Sequence, residues 1–333
     1  MGKFSSHIPI PLGMPFLRKR AGVNPLIVNY HMVSDLQLPY IQNLYHYRDV
    51  KTFLRDLELY RKSYCPIGMP EFLASLKGET ILPENALMVT FDDGFREIVE
   101  TAAPLLLARE IPATLFITRD FVDNKALNHD NKQSMVVERL KSHVSRRIKQ
   151  DILDLVKQNS LPGDDLLEIV LKIPYNKRSL VDQIASMLDI DFAEFLAVQR
   201  PYISTSQISQ LIDQGFTFGG HSIDHARFPE LPLEDQVTQA RSSIDFLSEK
   251  FAIDYRVFAF PYSDHGVESS FFEEISDDID ASFGSHGLLE DPVKNHFQRI
   301  SVEKYNQLAQ KTIKFHYTRR IIKNYMRRSL VVR

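Results

Sequence analysis

The sequence contains the stretch Leu87-Met88-Val89-Thr90-Phe91-Asp92-Asp93-Gly94, in which an apolar run of strand length ends in two adjacent carboxylates. A short apolar run of this kind is typical of a strand buried on both faces of a parallel sheet. Gly94 allows the backbone to turn directly after the acids. In parallel α/β folds the carboxyl ends of the strands carry the functional residues, so Asp92 and Asp93 are candidate site residues. The alternative is a simple Asp-Asp-Gly turn that caps a helix.

Other segments of the chain repeat this pattern. Strand-like apolar runs occupy residues 26–33, 113–118, 216–219, 257–260 and 297–302. Helical apolar spacing occurs at residues 53–60, 98–109 and 233–251. Strands that alternate with helices indicate parallel pairing, in a barrel or in an open doubly wound sheet. Of these two we predict the barrel, as a distorted (β/α) barrel of parallel strands.

Residues 120–200 interrupt the alternation of strands and helices. The stretches 135–157 and 166–171 are helical in pattern and highly charged, and 159–165 is typical of a turn. We therefore predict an N-terminal segment at 1–24, a barrel at 25–303 with a helical insertion at about 120–200, and a basic C-terminal helix at 304–333. The insertion either shapes a substrate cleft or is an inert elaboration.

The composition is that of an ordinary soluble protein. The 333 residues are 44% hydrophobic and 25% charged, with a formal net charge of -3 and a pI near 6.4. This balance predicts no nucleic-acid partner and favours a neutral or small substrate. Cys65 is the single cysteine, and we expect it to be buried as a small hydrophobic side chain. We read no signal peptide or membrane span and expect a cytoplasmic location.

The C-terminal end has a one-sided charge. No acidic residue follows Glu303. The basic residues there are Lys304, Lys311, Lys314, Arg319, Arg320, Lys323, Arg327, Arg328 and Arg333, interleaved with apolar residues at roughly helical spacing. Such a helix either makes a peripheral contact with anionic lipid headgroups or docks on the barrel with a solvated basic face.

A second polar motif, Phe218-Gly219-Gly220-His221-Ser222-Ile223-Asp224-His225, follows another strand-like run. Histidines four positions apart can point the same way on a helical turn or in a tight loop, and imidazole nitrogen suits zinc and similar metals. One such pair alone is more often on the surface or in the core than bound to metal. With a carboxylate from the end of another strand, however, it supplies three protein ligands and leaves room for water.

A third motif, Val257-Phe258-Ala259-Phe260-Pro261-Tyr262-Ser263, is a strand that ends in a Pro-Tyr turn. Pro261 restricts the backbone there. The amide of Tyr262 could therefore be held toward the cleft as an oxyanion donor. Taken alone, the motif is only the end of a strand.

These three motifs, in this order, resemble those of the polysaccharide deacetylase family, the NodB-homology domain of carbohydrate esterase family four. The resemblance runs from about residue 87 to residue 302, interrupted by the insertion. It implies that Asp93, His221 and His225 hold a divalent metal, zinc with cobalt or nickel as alternatives, and that Asp92 is the general base.

Two positions in the third motif depart from the family pattern. Many members carry an arginine two residues before the proline, where it orients the base, and this chain has Ala259 there. Ser263 replaces the usual glycine. We therefore expect another group to hold the base. The late Leu-x-x-x-His motif, which usually provides the general acid, is also not found.

A circularly permuted branch of the family, which resembles the poly-N-acetylglucosamine and capsule-cluster deacetylases, takes its acid from an N-terminal strand that ends in Tyr-His. The segment Leu26-Ile27-Val28-Asn29-Tyr30-His31-Met32-Val33 has that form. The resemblance therefore makes His31 the candidate general acid, with His286 as the runner-up. A lone histidine after a strand can also be purely structural.

The resemblance implies an enzyme that removes the acetyl group from N-acetylated carbohydrate, either a polysaccharide or a glycan precursor. The catalytic residues would be Asp92, His31 and Tyr262, acting with metal-activated water. Two alternatives stay open at the level of sequence. One is a metal-dependent deformylase or amidase on a non-polymeric substrate, and the other is a non-catalytic member of the family that binds glycan.

Overall fold

The computed structural model describes residues 13–303, 307–326 and 330–331. Its strands are β1 Leu26–Tyr30, β2 Cys65–Pro66, β3 Ala86–Phe91, β4 Ala113–Ile117, β5 Thr217–Gly220, β6 Val257–Ala259, β7 Ala281–Gly284, β8 His296–Gln298 and β9 Ile300–Ser301. Every strand pair in this sheet is parallel.

The sheet runs in the order β8-β7-β6-β5-β4-β3-β1-β9, and β2 pairs with β3 beside this path. Only Arg299 separates β8 from β9, so one extended segment pairs with β7 at one end of the sheet and with β1 at the other. This segment joins the two ends of the sheet. The predicted distorted barrel of parallel strands is confirmed, and the open doubly wound alternative is excluded.

Helices cover the outside of the barrel and form the insertion. They are α1 Met14–Ala21, α2 Val50–Ser63, α3 Met69–Leu76, α4 Ala103–Leu107, α5 His129–Lys141, α6 Arg146–Gln158, α7 Leu166–Leu171, α8 Arg178–Met187, α9 Phe192–Gln199, α10 Thr205–Asp213, α11 Leu233–Phe251, α12 Ser269–Glu274 and α13 Ala309–Tyr325. A π-helical turn, Ile98–Ala102, leads into α4. Helix α11 has the predicted bounds, 233–251.

The barrel strands are buried because both of their faces meet apolar layers. All residues of β1, β3 and β4 are buried. Inside the barrel the strands approach closely at Gly219 in β5, where an added Cβ would lie 2.5 Å from the Phe116 ring of β4. A side chain at position 219 would therefore push these two strands apart.

Some elements differ from the sequence predictions. Strand β7 was not predicted, because Phe283 is its one large apolar residue. The helical stretch at 135–157 is two helices, since Ser145 caps a new helix by accepting a hydrogen bond from the amide of Ile148. The expectation for Cys65 is wrong: its side chain is exposed, because β2 is a two-residue strand at the side of the main sheet path.

The region predicted as an insertion is helical and contains α5 to α9. It has an apolar core of its own, in which Val136, Ile152, Val170 and Ile184 are buried. A second cluster joins this region to the barrel through Tyr202 and the Phe192 and Phe195 side chains of α9. The bounds proposed for the domains stay a prediction.

Helix α13 docks on the barrel beside α1 and α2. Ile313 and Tyr317 enter the main apolar core, and the hydroxyl groups of Tyr64 and Tyr317 are 3.3 Å apart. Residues 1–12 of the predicted N-terminal segment, and residues 304–306, 327–329 and 332–333 of the predicted C-terminal helix, lie outside the described residues. In the part of the chain that is described, no helix combines the length and hydropathy needed to cross a bilayer.

Candidate active site

A cavity of about 790 Å³ opens at the carboxyl ends of the barrel strands. It brings together all of the predicted site residues, namely His31, Asp92, Asp93, His221, His225 and Tyr262. The helical region contributes Asp130 and Lys172 to its wall, and α13 contributes His316 and Arg319. Of the two roles considered for the insertion, the shaping of this cleft is the one that its position supports.

Asp93, His221 and His225 form a buried cluster in this cavity. Asp93 Oδ1 is 3.3 Å from His221 Nε2 and 3.1 Å from His225 Nε2. The three side chains come from the turns after β3 and β5, two parallel strands that both flank β4. Parallel pairing thus places residues that are more than a hundred positions apart in sequence at one end of the barrel.

Local backbone conformation aims these side chains into the cavity. Asp93 has a φ of 71° and His225 a φ of 64°, both in the left-handed region. The segment after β5 is therefore a tight loop and not a helical turn, and the amide of His225 donates to Ser222 Oγ to hold it. Non-glycine residues adopt this conformation at a cost, which is common at functional sites.

The tautomer of His221 is fixed by its hydrogen bond to the protein. Its Nδ1 lies 2.8 Å from the carbonyl oxygen of Ala259, which can only accept, so Nδ1 carries the proton. The lone pair of His221 Nε2 consequently faces Asp93 Oδ1. A backbone carbonyl in this position is the usual outer partner of a metal-bound histidine.

The donor set fits a divalent cation. Asp93 Oδ1 is buried without a hydrogen-bond partner, although two imidazole nitrogens are close to it. The other oxygen, Asp93 Oδ2, accepts a hydrogen bond of 3.3 Å from the Tyr45 hydroxyl. One carboxylate and two imidazoles with room for further ligands are typical of catalytic zinc sites. A cation bound among these donors would give the buried Asp93 Oδ1 the partner that it otherwise lacks.

Asp92 lines the same cavity as this cluster and forms a buried ion pair with Arg299. The guanidinium donates to both carboxylate oxygens, from Nη1 at 2.7 Å and from Nη2 at 2.8 Å. The side-chain amide of Asn29 donates to Asp92 Oδ2 at 3.0 Å. Burial alone would raise the pKa of Asp92, but Arg299, with His221 and His31, holds it below its usual value. Asp92 is therefore an ionised carboxylate in a fixed orientation.

Arg299 occupies the role that the sequence left open at Ala259. It lies between β8 and β9, where the barrel closes, and its side chain is 1% exposed. The third motif, which has Ala259 where other members have arginine, is therefore on β6, whereas Arg299 lies between β8 and β9. The expectation that another group holds Asp92 is met by this contact.

His31 lies after β1 and is held by Glu303. Its ring Nδ1 is 2.9 Å from Glu303 Oε2, and its backbone amide donates to the same oxygen at 2.8 Å. Burial opposes protonation of the ring, but the Glu303 hydrogen bond and the charges of Asp93, Glu303 and Asp92 raise the pKa of His31 to about 9. The ring also lies 4.7 Å from that of Tyr45, which contacts Asp93. This raised pKa favours the protonated form of His31 at neutral pH.

His286, the runner-up, lines the same cavity but belongs to a different polar cluster. Its Nε2 is 3.4 Å from Asp264 Oδ1. Asp264 Oδ2 is 3.0 Å from His296 Nε2 and accepts from Gln298 Nε2 at 2.8 Å. Gln298 also donates to Asp291 at 3.0 Å, so an amide group lies between the two acids. Asp264, Asp291 and His296, which are close enough together to be candidate metal ligands, are thus joined through Gln298 in a hydrogen-bonded network.

Tyr262 lies at the rim on the far side of the histidine pair. Its φ of 56° is left-handed, and its ring is 4.5 Å from the His225 ring. The Arg227 guanidinium stacks over the Tyr262 ring at 3.8 Å. The position is compatible with an amide donor to the cavity, and the catalytic role of that amide stays a prediction.

Sequence reasoning missed three residues of this site: Tyr45, Arg299 and Glu303. Arg299 falls inside a strand predicted at 297–302, and a charged residue inside a buried strand is a signal for a buried partner. Glu303 is the last acid before the basic C-terminal stretch. Tyr45 has no comparable signal.

Several solved deacetylase structures share this fold. A Streptococcus pyogenes deacetylase, PplD, in complex with acetate has a TM-score of 0.55 at 13% identity, covering 88% of this chain and 97% of that one. IcaB from Ammonifex degensii has a TM-score of 0.54 at 16% identity, covering 86% and 96%. A de-N-acetylase from Aggregatibacter actinomycetemcomitans has a TM-score of 0.52 at 14% identity, covering 87% and 98%.

The sequence comparisons give fewer matches than the structural comparison. No curated protein matches the chain. The family model described as polysaccharide deacetylase matches residues 80–161 and 176–275, which is more than half of the 333 residues. These segments include Asp92, Asp93, His221 and His225, whereas His31 and Arg299 lie outside them. On the extent of this match, the chain belongs to the polysaccharide deacetylase family.

Proposed function

We propose that this chain is a metal-dependent hydrolase that removes the acetyl group from N-acetylated sugars. The observation that carries the proposal is the buried convergence of Asp93 Oδ1 with the Nε2 atoms of His221 and His225, next to an ionised Asp92. Membership of the deacetylase family supports the same reaction class. A glycan-binding module would need neither feature.

Asp93, His221 and His225 would hold the cation. A divalent ion bound there supplies Lewis-acid activation of water and of the acetyl carbonyl. The carbonyl partner of His221 and the Tyr45 hydroxyl on Asp93 keep the ligands in position. The protein therefore orients the site before substrate arrives.

Asp92 and His31 would divide the proton transfers between them. Arg299 keeps Asp92 ionised, so that it can accept a proton from the attacking water. Glu303 keeps His31 protonated, so that it can donate to the departing amine. Two titratable groups with pKa values held far apart are the arrangement expected for a general base and a general acid. The Tyr262 amide would donate to the developing oxyanion.

Acetate release from a panel of N-acetylhexosamine substrates, with and without chelator, tests this function. We expect release by the zinc-loaded protein, loss with chelator, and recovery with Zn²⁺ or Co²⁺. The Asp93→Asn variant, which is nearly the same size, should lose both bound metal and activity. His286→Ala is the matched cavity variant, and it should keep its metal.

Three outcomes would contradict the proposal. Formate release without acetate release would indicate a deformylase built on the same residues. Tight glycan binding without hydrolysis by metal-loaded protein would indicate a binding module. Undiminished acetate release after complete metal removal would refute the metal site itself.

A further inference from the structure

The outward face of α13 carries large apolar side chains. The inward face packs on the barrel, through the buried residues Ala309, Thr312, Ile313, Tyr317 and Arg320. On the other side Ile322, Tyr325 and Met326 are 53%, 92% and 52% exposed. A helix that only covers a barrel carries polar residues on its solvent side. The apolar side chains on this face of α13 therefore do not serve to pack the helix on the barrel.

Two of these exposed residues, together with the partly exposed Phe315, form an apolar stripe that leads to the active-site cavity. Phe315, Ile322 and Met326 are separated by seven and four positions, so they lie along one side of the helix. Phe315 is part of the cavity wall. At 1.5 Å per residue the stripe extends about 16 Å from the cavity mouth.

The same face is basic. Lys311 and Arg319 are exposed on α13, and Lys323 is partly exposed. The buried Arg320 pairs with Glu290, and no acidic residue follows Glu303 in the sequence. A basic face around an apolar stripe is the pattern of helices that lie in the interface of an anionic membrane.

Helix α1, which packs against α13, also carries exposed apolar and basic side chains. Phe16 on α1 is 52% exposed, and Lys19 and Arg20 beside it are exposed. Basic and apolar side chains thus occur together on two neighbouring helices. Ile81, which is 95% exposed, is an apolar residue in the loop between α3 and β3 and belongs to neither helix.

We propose that α13 and α1 form a docking surface for an anionic lipid bilayer. Ile322, Tyr325 and Met326 would enter the headgroup region, while Lys311 and Lys323 contact anionic lipid. A second copy of the chain fits this surface less well, because a symmetric contact would bring two basic faces together. Docking would place the cavity mouth, through Phe315, at the lipid surface.

This docking does not depend on the proposed deacetylase activity, and it can be measured without turnover. The full chain is sedimented with vesicles of phosphatidylcholine alone and with vesicles that contain phosphatidylglycerol. We expect binding to the anionic vesicles only. Each basic side chain near the surface contributes about fivefold. Raising the salt from 0.1 M to 1 M should release the protein, because the Debye length falls from about 10 Å to about 3 Å.

Two variants separate the apolar and basic contributions. Ile322→Glu with Met326→Glu should weaken binding by about tenfold or more, since it removes the inserted side chains and adds repelled charges. Lys311→Glu with Lys323→Glu should do the same. Ile81→Glu changes a comparably exposed apolar residue elsewhere and should bind like the unmodified chain. Hydrolysis of a water-soluble substrate should be unchanged in all three.

Three results would overturn the proposal. One is equal binding to neutral and anionic vesicles, and another is unaltered binding by both double variants. The third is a dimer in solution that the Ile322→Glu, Met326→Glu variant converts to a monomer, which would show that a second copy covers this face.

Discussion

Replacement of Glu303 by glutamine tests whether the contact between Glu303 and His31 raises the pKa of His31 and so supports proton transfer. Glutamine keeps an oxygen that can accept from the His31 ring and amide, both of which contact Glu303 Oε2 at 2.9 Å and 2.8 Å. It removes the negative charge. The hydrogen bond and the charge of Glu303 are two of the four contributions that raise the pKa of His31 to about 9. We therefore expect the pKa to fall toward the ordinary value of 6.5.

The size of the effect follows from the protonated fraction of His31. A general acid acts below its pKa, so activity is lost as pH rises through that value. At about pH 8, roughly 90% of a group with a pKa of 9 is protonated, but only about 3% of a group with a pKa of 6.5. For a full shift, Glu303→Gln should therefore be about 30-fold slower at pH 8. At about pH 6 it should be almost as fast as the unmodified enzyme, because both are mostly protonated.

The assay is kcat/KM for acetate release between pH 6 and pH 9.5, with metal content measured for each preparation. Glu303→Asp is the control, since it keeps the carboxylate on a shorter side chain and should retain more of the alkaline activity. A loss of the same size at every pH would refute the reasoning, because it would mean that Glu303 only positions the His31 ring. The reasoning would also be refuted if the variant still lost its activity only above about pH 9.

Other predictions concern the remaining contacts of the site and the barrel. Arg299→Lys keeps the charge but not the two parallel bonds to Asp92, and kcat should fall about 10- to 100-fold with little change in KM. Asp92→Asn should retain bound metal, measured by elemental analysis, and lose about 100- to 10,000-fold in turnover; loss of metal would instead make Asp92 a ligand. His31→Ala should be slowed by a similar factor on an amide but much less on an activated ester, whose leaving group departs without a proton, and equal losses would make this residue structural. Gly219→Ala should lower the free energy of unfolding by about 1 to 3 kcal/mol, because its Cβ would meet the Phe116 ring at 2.5 Å; an unchanged melting temperature would contradict this packing.

The strands that the sequence predicted are those with continuous apolar runs. Strand β3 and strand β4 are buried throughout, and burial on both faces favours apolar residues at nearly every position. Strand β7 is just as buried, yet it reads Ala-Ser-Phe-Gly. Its burial comes from its neighbours β6 and β8, which a local pattern does not contain.

The candidate site likewise contains some residues that could be predicted from the sequence and others that could not. Asp92, Asp93, His221 and His225 occur in short motifs, so their grouping could be predicted from the resemblance. Arg299 meets Asp92 across 207 positions of sequence. Such a contact depends on which strands become neighbours when the barrel closes. The expectation for Cys65 failed for a related reason, because exposure is set by where a short strand pairs and not by residue type.

Closure of the barrel by the segment that contains β8, Arg299 and β9 has a consequence for the synthesis of the protein. Asn29 and His31 lie near the beginning of the chain, yet their partners Arg299 and Glu303 follow about 270 positions later. Contacts of such long range form slowly, because the chain must first close a large loop. On the ribosome, Asp93, His221 and His225 would therefore be synthesised long before Arg299 and Glu303, which contact Asp92 and His31. Activity during synthesis should appear abruptly, only when the final strand has been released.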